Sequence, residues 1–225
     1  YSEDGTIKSR FKTWDGHLVE GVLIPTTSRY TACVSSQIGC SLSCKFCATG
    51  YIDRKRNLAF DEIYDEVVLI NQQSEKVHGK KLSNIVFMGM GEPLLNYKNV
   101  IRSIERITSP DGLAMSPRRI TVSTAGVAKG IRQLGEDKVK FKLALSLHAA
   151  NDQKRHEIMP INDTTLSVEC VNSNASKTPP SASTAPVIIA MGCVSERNSI
   201  NRTMNTRVMA NTNANSNSRK LPCCS

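Results

Sequence analysis

The hydrophobic and polar positions between residues 17 and 159 follow two alternating periods. Short apolar or alternating runs predict strands at 17–25, 29–36, 83–89, 118–126 and 140–148. Runs with helical spacing predict helices at 60–73, 97–108, 126–137 and 151–159. In the first of these helices Phe60, Ile63, Val67 and Ile70 share one face. The order predicts βαβ units with a parallel sheet, and a doubly wound sheet and a β/α barrel both remain open.

Two of the predicted strands have one bulky face and one small polar face. In the last strand Leu143 and Leu145 point to one side, while Ser146 and His148 point to the other. In strand 118–126 the side chain of Ser123 lies opposite those of its apolar neighbours. The bulky faces suit covering helices, so we expect the polar faces to turn toward a common centre and line a ligand cavity.

The composition changes near residue 163. The remaining segment, 163–225, has no aromatic residue and no His, and it is rich in Ser, Thr and Asn. Ordering backbone costs about 1–2 kcal/mol per residue, which so little bulky apolar content can hardly offset. We therefore expect a strand segment at 1–28 that leads into the core, a core at 29–162, and a mostly disordered tail at 163–225. Translation out of frame would also produce such a tail.

Charge and hydropathy limit the classes of partner. The net charge of +9 suits an acidic partner, with nucleic acid the first candidate. No apolar run approaches the roughly 18 residues of a membrane span, and the first residues lack the apolar core of a signal peptide. We expect a cytoplasmic protein without a membrane partner. In that reducing compartment clustered cysteines favour metal binding or catalysis over disulfides.

Four of the eight cysteines lie between residues 33 and 50. Cys40, Cys44 and Cys47 have the spacing C-x3-C-x2-C, and Cys33 lies seven residues upstream. Structural zinc usually takes four ligands, often from two C-x2-C pairs, and no second pair lies nearby. Three thiolates on one loop suit an iron–sulfur cluster with one iron left open for a small molecule. The spacing favours the cluster, with zinc as the alternative.

Six segments in order carry a resemblance to a known family. They are CVSSQIGCSLSCKFCATG (33–50), KRNL (55–58), VFMGMGEPLLN (86–96), ITVSTAG (120–126), LALSLHA (143–149) and IMPIN (158–162). The cysteine spacing, with Phe46 before the last cysteine, resembles the radical S-adenosylmethionine (SAM) superfamily. The six segments together resemble the RlmN/Cfr family of RNA adenine methyltransferases, over residues 20–162.

The resemblance implies a fold and a cofactor site. The fold would be α/β, a partial radical SAM (β/α) barrel that is incomplete at its C-terminal end. The thiolates of Cys40, Cys44 and Cys47 would ligate a [4Fe-4S] cluster, and SAM would bind the open iron and be cleaved to a 5′-deoxyadenosyl radical. The positions that match SAM-contacting residues of the family are Gly91, Glu92, Ser123, Ser146, Leu147 and His148.

The resemblance also assigns two catalytic residues. Cys33 matches the cysteine that removes a proton from the substrate adenine and resolves a protein–RNA crosslink. A thiol suits that role because its usual pKa near 8.5 allows partial ionisation. Glu20 aligns with an upstream glutamate proposed as a proton acceptor. The family also uses a second cysteine, methylated by one of two SAM molecules, and a late Asn. None of the later cysteines lies in a matching segment; they are Cys170, Cys193, Cys223 and Cys224.

The implied function is methylation of C2 of a specific adenine in 23S rRNA and in tRNA, with two SAM molecules and an electron donor such as flavodoxin. Three alternatives remain: a Cfr-type enzyme that methylates C8, a radical SAM enzyme with another substrate, and a non-catalytic metal- or RNA-binding module. Because the match stops near Asn162, we expect this chain to be an incomplete and impaired enzyme.

Overall fold

The computed structural model describes residues 2–149 and 152–159 and the backbone of a strand at 188–191. The strands are β1 Ile7–Lys12, β2 Leu18–Pro25, β3 Tyr30–Cys33, β4 Gln37–Ile38, β5 Arg56–Asn57, β6 Asn84–Phe87, β7 Ile120–Thr124, β8 Lys142–Ser146 and β9 Ile188–Met191. The helices are α1 Phe60–His78, α2 Tyr97–Thr108, α3 Ala128–Glu136 and α4 Asp152–Ile158. Short 3-10 turns lie at Ala48–Tyr51, Pro93–Asn96 and Pro117–Arg119.

Seven strands form the main sheet in the order β1-β2-β3-β6-β7-β8-β9. The first three are joined antiparallel, and β3, β6, β7, β8 and β9 run parallel to one another. In the parallel part the spatial order follows the chain order, so right-handed crossovers place the connecting helices on one face. That arrangement is typical of a β/α barrel, whereas a doubly wound sheet reverses its strand order. The predicted α/β class with a mostly parallel sheet is confirmed.

Helix α1 is the longest helix described. The carboxylate of Glu62 accepts a hydrogen bond from the backbone N–H of Ala59 at 2.9 Å, which satisfies one of the free N–H groups at the start. Gly79, with φ of 64°, ends the helix. The predicted apolar stripe is buried, with Ile63, Val67 and Ile70 fully enclosed. The helix therefore packs its predicted face on the sheet.

The hydrophobic core lies between the helices and the outer face of the sheet. It joins Ile63 of α1 and Ile104 of α2 to strand residues such as Leu23, Ile85 and Val122. Each such side chain contributes about 1.5–3 kcal/mol when fully buried. Because these bulky residues face the helices, strand alternation turns the small polar residues of β7 and β8 to the opposite, inner face.

Two strands of the main sheet, and both strands of the small β4–β5 pair, were not predicted. Strand β1 pairs with β2 along its whole length. Strand β9 lies in the segment expected to be mostly disordered, and it pairs in parallel with β8. The rest of that segment and the expected boundary between residues 162 and 163 lie outside the described residues. None of the helices in the described part of the chain has the length and apolar character needed to cross a bilayer.

Candidate active site at the carboxyl ends of the parallel strands

The predicted site residues gather where the parallel strands end. Cys33 is the last residue of β3, the GMGE segment 89–92 follows β6, Thr124 ends β7, and His148 follows β8. In parallel α/β folds the ligand lies at this carboxyl edge of the sheet. The topology thus brings together segments that lie up to 115 residues apart in the sequence.

The loop that carries the three clustered cysteines is fixed by its backbone. Gly39 has φ of +75°, and a Cβ at this position would collide with the backbone of Asp53. The N–H of Cys40 donates to the carbonyl of Ile52 at 3.1 Å. The N–H of Cys47 donates to the carbonyl of Cys44 at 3.0 Å. These contacts hold the three cysteines on one compact loop.

The three thiols of this loop influence one another. Burial raises the pKa of Cys40, and the neighbouring Cys47 raises it further. Burial also raises the pKa of Cys44 to about 12, with added contributions from Cys40 and Cys47. Within the part of the chain that the structure describes, no three His, Cys, Asp or Glu side chains are already arranged to hold a metal ion. The donor set of three neighbouring, partly buried thiols nevertheless fits a thiolate-bound iron–sulfur cluster in number and kind.

The loop after β6 requires a glycine at position 91. Gly91 has φ of +93°, and a Cβ there would lie 2.5 Å from the Cβ of Gln37. The next backbone N–H, that of Glu92, donates to Oε1 of Gln37 at 2.9 Å. A larger residue at position 91 would have to displace this contact and adopt a strained backbone.

Glu92 joins two strand ends beneath the cysteine loop. Its buried carboxylate accepts hydrogen bonds from the N–H of Ala125 at 2.8 Å and of Leu94 at 3.1 Å. Burial raises the pKa of Glu92, and the hydrogen bond from Ala125 opposes that shift. The charge of Glu92 in turn raises the pKa of Cys40 and Cys44, so the carboxylate lies near the thiols.

The ends of β7 and β8 contribute a polar face and an aromatic contact. The hydroxyl oxygens of Ser123 and Ser146 lie 3.3 Å apart, as expected if both point to the inner face. Leu147, half-buried, follows directly. The ring of His148 lies 4.0 Å from the ring of Phe46, centre to centre, and so connects β8 to the cysteine loop. Burial, and then the charge of Arg155, lowers the pKa of His148.

Cys33 and Glu20 share the inner face of the sheet. Cys33 pairs in register with Val22, and Glu20 lies two residues from Val22 on the same strand. Burial, and then the charge of Glu66, raises the pKa of Cys33 to about 12, which favours the protonated thiol. The Glu20 carboxylate is partly exposed and pairs with Nζ of Lys8 at 2.7 Å.

Two buried residues near Cys33, Ser35 and Glu66, were not predicted from the sequence. The Ser35 hydroxyl donates to the carbonyl of Glu20 at 2.7 Å and accepts from the N–H of Met90 at 2.9 Å. The N–H of Ser35 donates to the two carboxyl oxygens of Glu66 at 3.1 and 3.3 Å. Ser35 thus ties β2, β3 and the loop after β6 together. Glu66 had a signal, since it lies in the apolar stripe of α1, between Ile63 and Ile70.

Asn96 is a further residue that sequence reasoning missed. Its buried side-chain amide donates to the carbonyls of Ser36 and Leu58, both at 2.8 Å. These bonds join the segment that leads into the cysteine loop to the segment that leads out of it. The local sequence LLNY carries no pattern that predicts such a bridge, because both partners are distant backbone atoms.

The fold and the cysteine loop define a class of protein. The chain belongs to the radical SAM superfamily, whose family model matches residues 34–188. It is also similar in structure to a solved radical SAM methyltransferase from Sphaerobacter thermophilus. That similarity has a TM-score of 0.69 and 42% sequence identity, and it covers 72% of this chain and 48% of the other.

Curated relatives make the similarity more specific, and they confirm the resemblance to the RlmN/Cfr family. The chain is 66% identical over 163 residues to the probable dual-specificity RNA methyltransferase RlmN of Cytophaga hutchinsonii, covering 72% of this chain and 45% of the relative. It is 60% identical over 163 residues to the protein of the same name from Christiangramia forsetii, covering 72% and 46%. The chain therefore spans less than half the length of these relatives.

Proposed function

We propose that this chain is the cluster- and SAM-binding part of an RNA methyltransferase that modifies C2 of an adenine in 23S rRNA and in tRNA. The observation that carries the proposal is the compact loop of Cys40, Cys44 and Cys47 beside the buried carboxylate of Glu92, at the carboxyl edge of the sheet. The relatives named RlmN support the RNA substrate.

The three thiolates would hold a [4Fe-4S] cluster, which supplies the electron that cleaves SAM. Around it this chain provides a binding surface for SAM. Gly91 lets the loop after β6 turn tightly against Gln37 and so places the next residue, Glu92, whose carboxylate suits an ammonium group. The inner polar face at Ser123 and Ser146, followed by Leu147 and His148, lies beside this surface.

Cys33 and Glu20 are the residues we assign to proton transfer. Sγ of Cys33 must lose its proton before it can accept one from the adenine, and in its buried surroundings it retains that proton. The carboxylate of Glu20, on the same face of the sheet, is the acceptor that we propose. Nζ of Lys8, 2.7 Å away, places a positive charge beside this carboxylate.

The partners follow from the same proposal. RNA fits the net charge of +9, and reduction of the cluster needs an electron donor such as flavodoxin, in the cytoplasm. The complete reaction also needs a second cysteine. Among the residues that the structure describes, the cysteines are Cys33 and the three of the loop. Because the chain spans less than half the length of its relatives, SAM cleavage and RNA methylation are measured separately.

The experiment is an anaerobic reconstitution with iron and sulfide and reduction of the cluster with dithionite, followed by separate assays for 5′-deoxyadenosine and for methylated RNA. The wild-type chain is expected to release 5′-deoxyadenosine, and the Cys44→Ser variant to release almost none. Chromatographic separation against authentic 2-methyladenosine and 8-methyladenosine standards, with detection by mass spectrometry, distinguishes these isomers, and a C8 product would indicate the Cfr-type enzyme. An iron-loaded wild-type chain that leaves SAM intact would contradict the proposal.

A further inference from the structure

Helix α4 packs directly against the cysteine loop. The backbone N–H of Lys45, between two of the clustered cysteines, donates to the carbonyl of Ile158 at 2.9 Å. Buried Met159 belongs to one small apolar cluster with Cys44 and Ala125, and Ile158 packs against the same cluster. The helix is therefore part of the wall behind the proposed iron site, although it follows the loop by more than 100 residues.

Arg155 is the buried residue of this helix. Only 4% of it is exposed, and its guanidinium donates to the carbonyl of Ala125 at the end of β7. Its positive charge opposes the rise in the pKa of Cys44 that burial causes, and it adds to the effect of burial in lowering the pKa of His148. Together with the packing of α4 on the loop, this places the guanidinium close to the thiols. A guanidinium does not lose its proton in proteins, and its burial is costly. The fold therefore places a permanent positive charge behind the loop.

We propose that Arg155 is a positioning residue for the iron–sulfur cluster: its buried charge stabilises the reduced cluster, and its bond to Ala125 holds α4 against the cysteine loop. This inference rests on the proposed function. A cluster bound by three thiolates gains a further negative charge on reduction. A fixed cation in a buried setting favours that state, whereas an exposed cation is screened by water.

The test compares three variants of the reconstituted chain. Arg155→Met removes the charge and keeps a long unbranched side chain, and Arg155→Lys restores the charge without the planar guanidinium. Lys45→Met is the matched control, because it removes an exposed positive charge next to Cys44 in the sequence. The readouts are the iron and sulfide content and the reduction potential from a redox titration followed by electron paramagnetic resonance. Far-UV circular dichroism of the metal-free variants checks the fold.

Arg155→Met is expected to shift the potential to a more negative value, so that at a fixed solution potential the ratio of reduced to oxidised cluster falls about fivefold or more. Arg155→Lys should recover most of that shift, and Lys45→Met should show the wild-type potential. A folded Arg155→Met variant that takes up no iron, next to a loaded Arg155→Lys variant, also supports the proposal. A loaded Arg155→Met variant with the wild-type potential would overturn it. A wild-type chain without a cluster would instead contradict the proposed function.

Discussion

Replacing Glu66 by Gln tests whether a neutral carboxyl group supports the segment that follows Cys33. Glu66 is fully buried in α1, and both its oxygens accept from the N–H of Ser35. Burial raises the pKa of Glu66 well above its ordinary value, and the Ser35 hydrogen bond opposes this only in part. When ionised, Glu66 interacts with the Cys33 thiol and raises the pKa of that thiol. We therefore expect the folded chain to keep Glu66 protonated at pH values where the unfolded chain does not.

The sign and size of the effect follow from proton linkage. Above the ordinary glutamate pKa of 4.5 the unfolded chain loses this proton while the folded chain retains it. The contribution of Glu66 to the free energy of unfolding then falls by about 1.4 kcal/mol per pH unit, up to the raised pKa of the folded state. Gln has no such proton and keeps an oxygen that can accept from Ser35. Glu66→Gln should gain stability relative to wild type as the pH rises.

The assay is urea unfolding of the metal-free chain, followed by far-UV circular dichroism under anaerobic, reducing conditions between pH 5 and pH 8. The advantage of Glu66→Gln over wild type should grow across this range. Glu105→Gln, the same change at an exposed position of α2, should stay within about 0.5 kcal/mol of wild type. Equal stability of Glu66→Gln and wild type at both ends of the range would refute the reasoning.

Three further changes test separate parts of the site. Gly91→Ala should destabilise the chain by about 1–3 kcal/mol, because position 91 has a positive φ and a Cβ there would collide with Gln37. Urea unfolding measures this loss, and an unchanged midpoint would contradict the close packing. Asn96→Leu should lower the free energy of unfolding by about 2 kcal/mol or more, because two buried backbone carbonyls lose their hydrogen-bond donor. An unchanged midpoint in thermal unfolding would contradict this and would indicate that water replaces the amide. After reconstitution, Cys33→Ser should contain as much iron as the wild type, whereas Cys44→Ser should lose most of its iron, as measured by colorimetric iron analysis. Equal losses in the two variants would identify Cys33 as an iron ligand.

The sequence predicted the elements whose periodicity is local. The α2 stripe of Val100, Ile104 and Ile107 is buried as its spacing indicated, because one side of a helix on a sheet must be apolar. Strand β1 also has a local signal, the alternation of Ile7, Ser9 and Phe11 with three basic residues, but this signal is weak in a segment of six residues. Strand β9 depends on pairing with β8, which no local pattern reveals.

The candidate site likewise contains residues that local sequence patterns predict and residues that they do not predict. The spacing of the cysteines and the GMGE segment are local patterns, so they could be read from the sequence. Ser35 and Arg155 could not, because their roles depend on backbone atoms that the fold brings from distant segments. For Glu66 the apolar stripe of α1 indicated burial, but not its partner, the N–H of Ser35. The raised pKa of Cys33 could not be read from the sequence for the same reason, since burial at the end of β3 causes it.

The central claim is that Cys40, Cys44 and Cys47 hold a four-iron cluster with one iron open to SAM. Electron paramagnetic resonance of the reduced, reconstituted chain, recorded before and after addition of SAM, tests this claim most directly. We expect a cluster signal whose shape changes when SAM is added. A colourless protein that binds one zinc ion, or a cluster signal that SAM leaves unchanged, would contradict it.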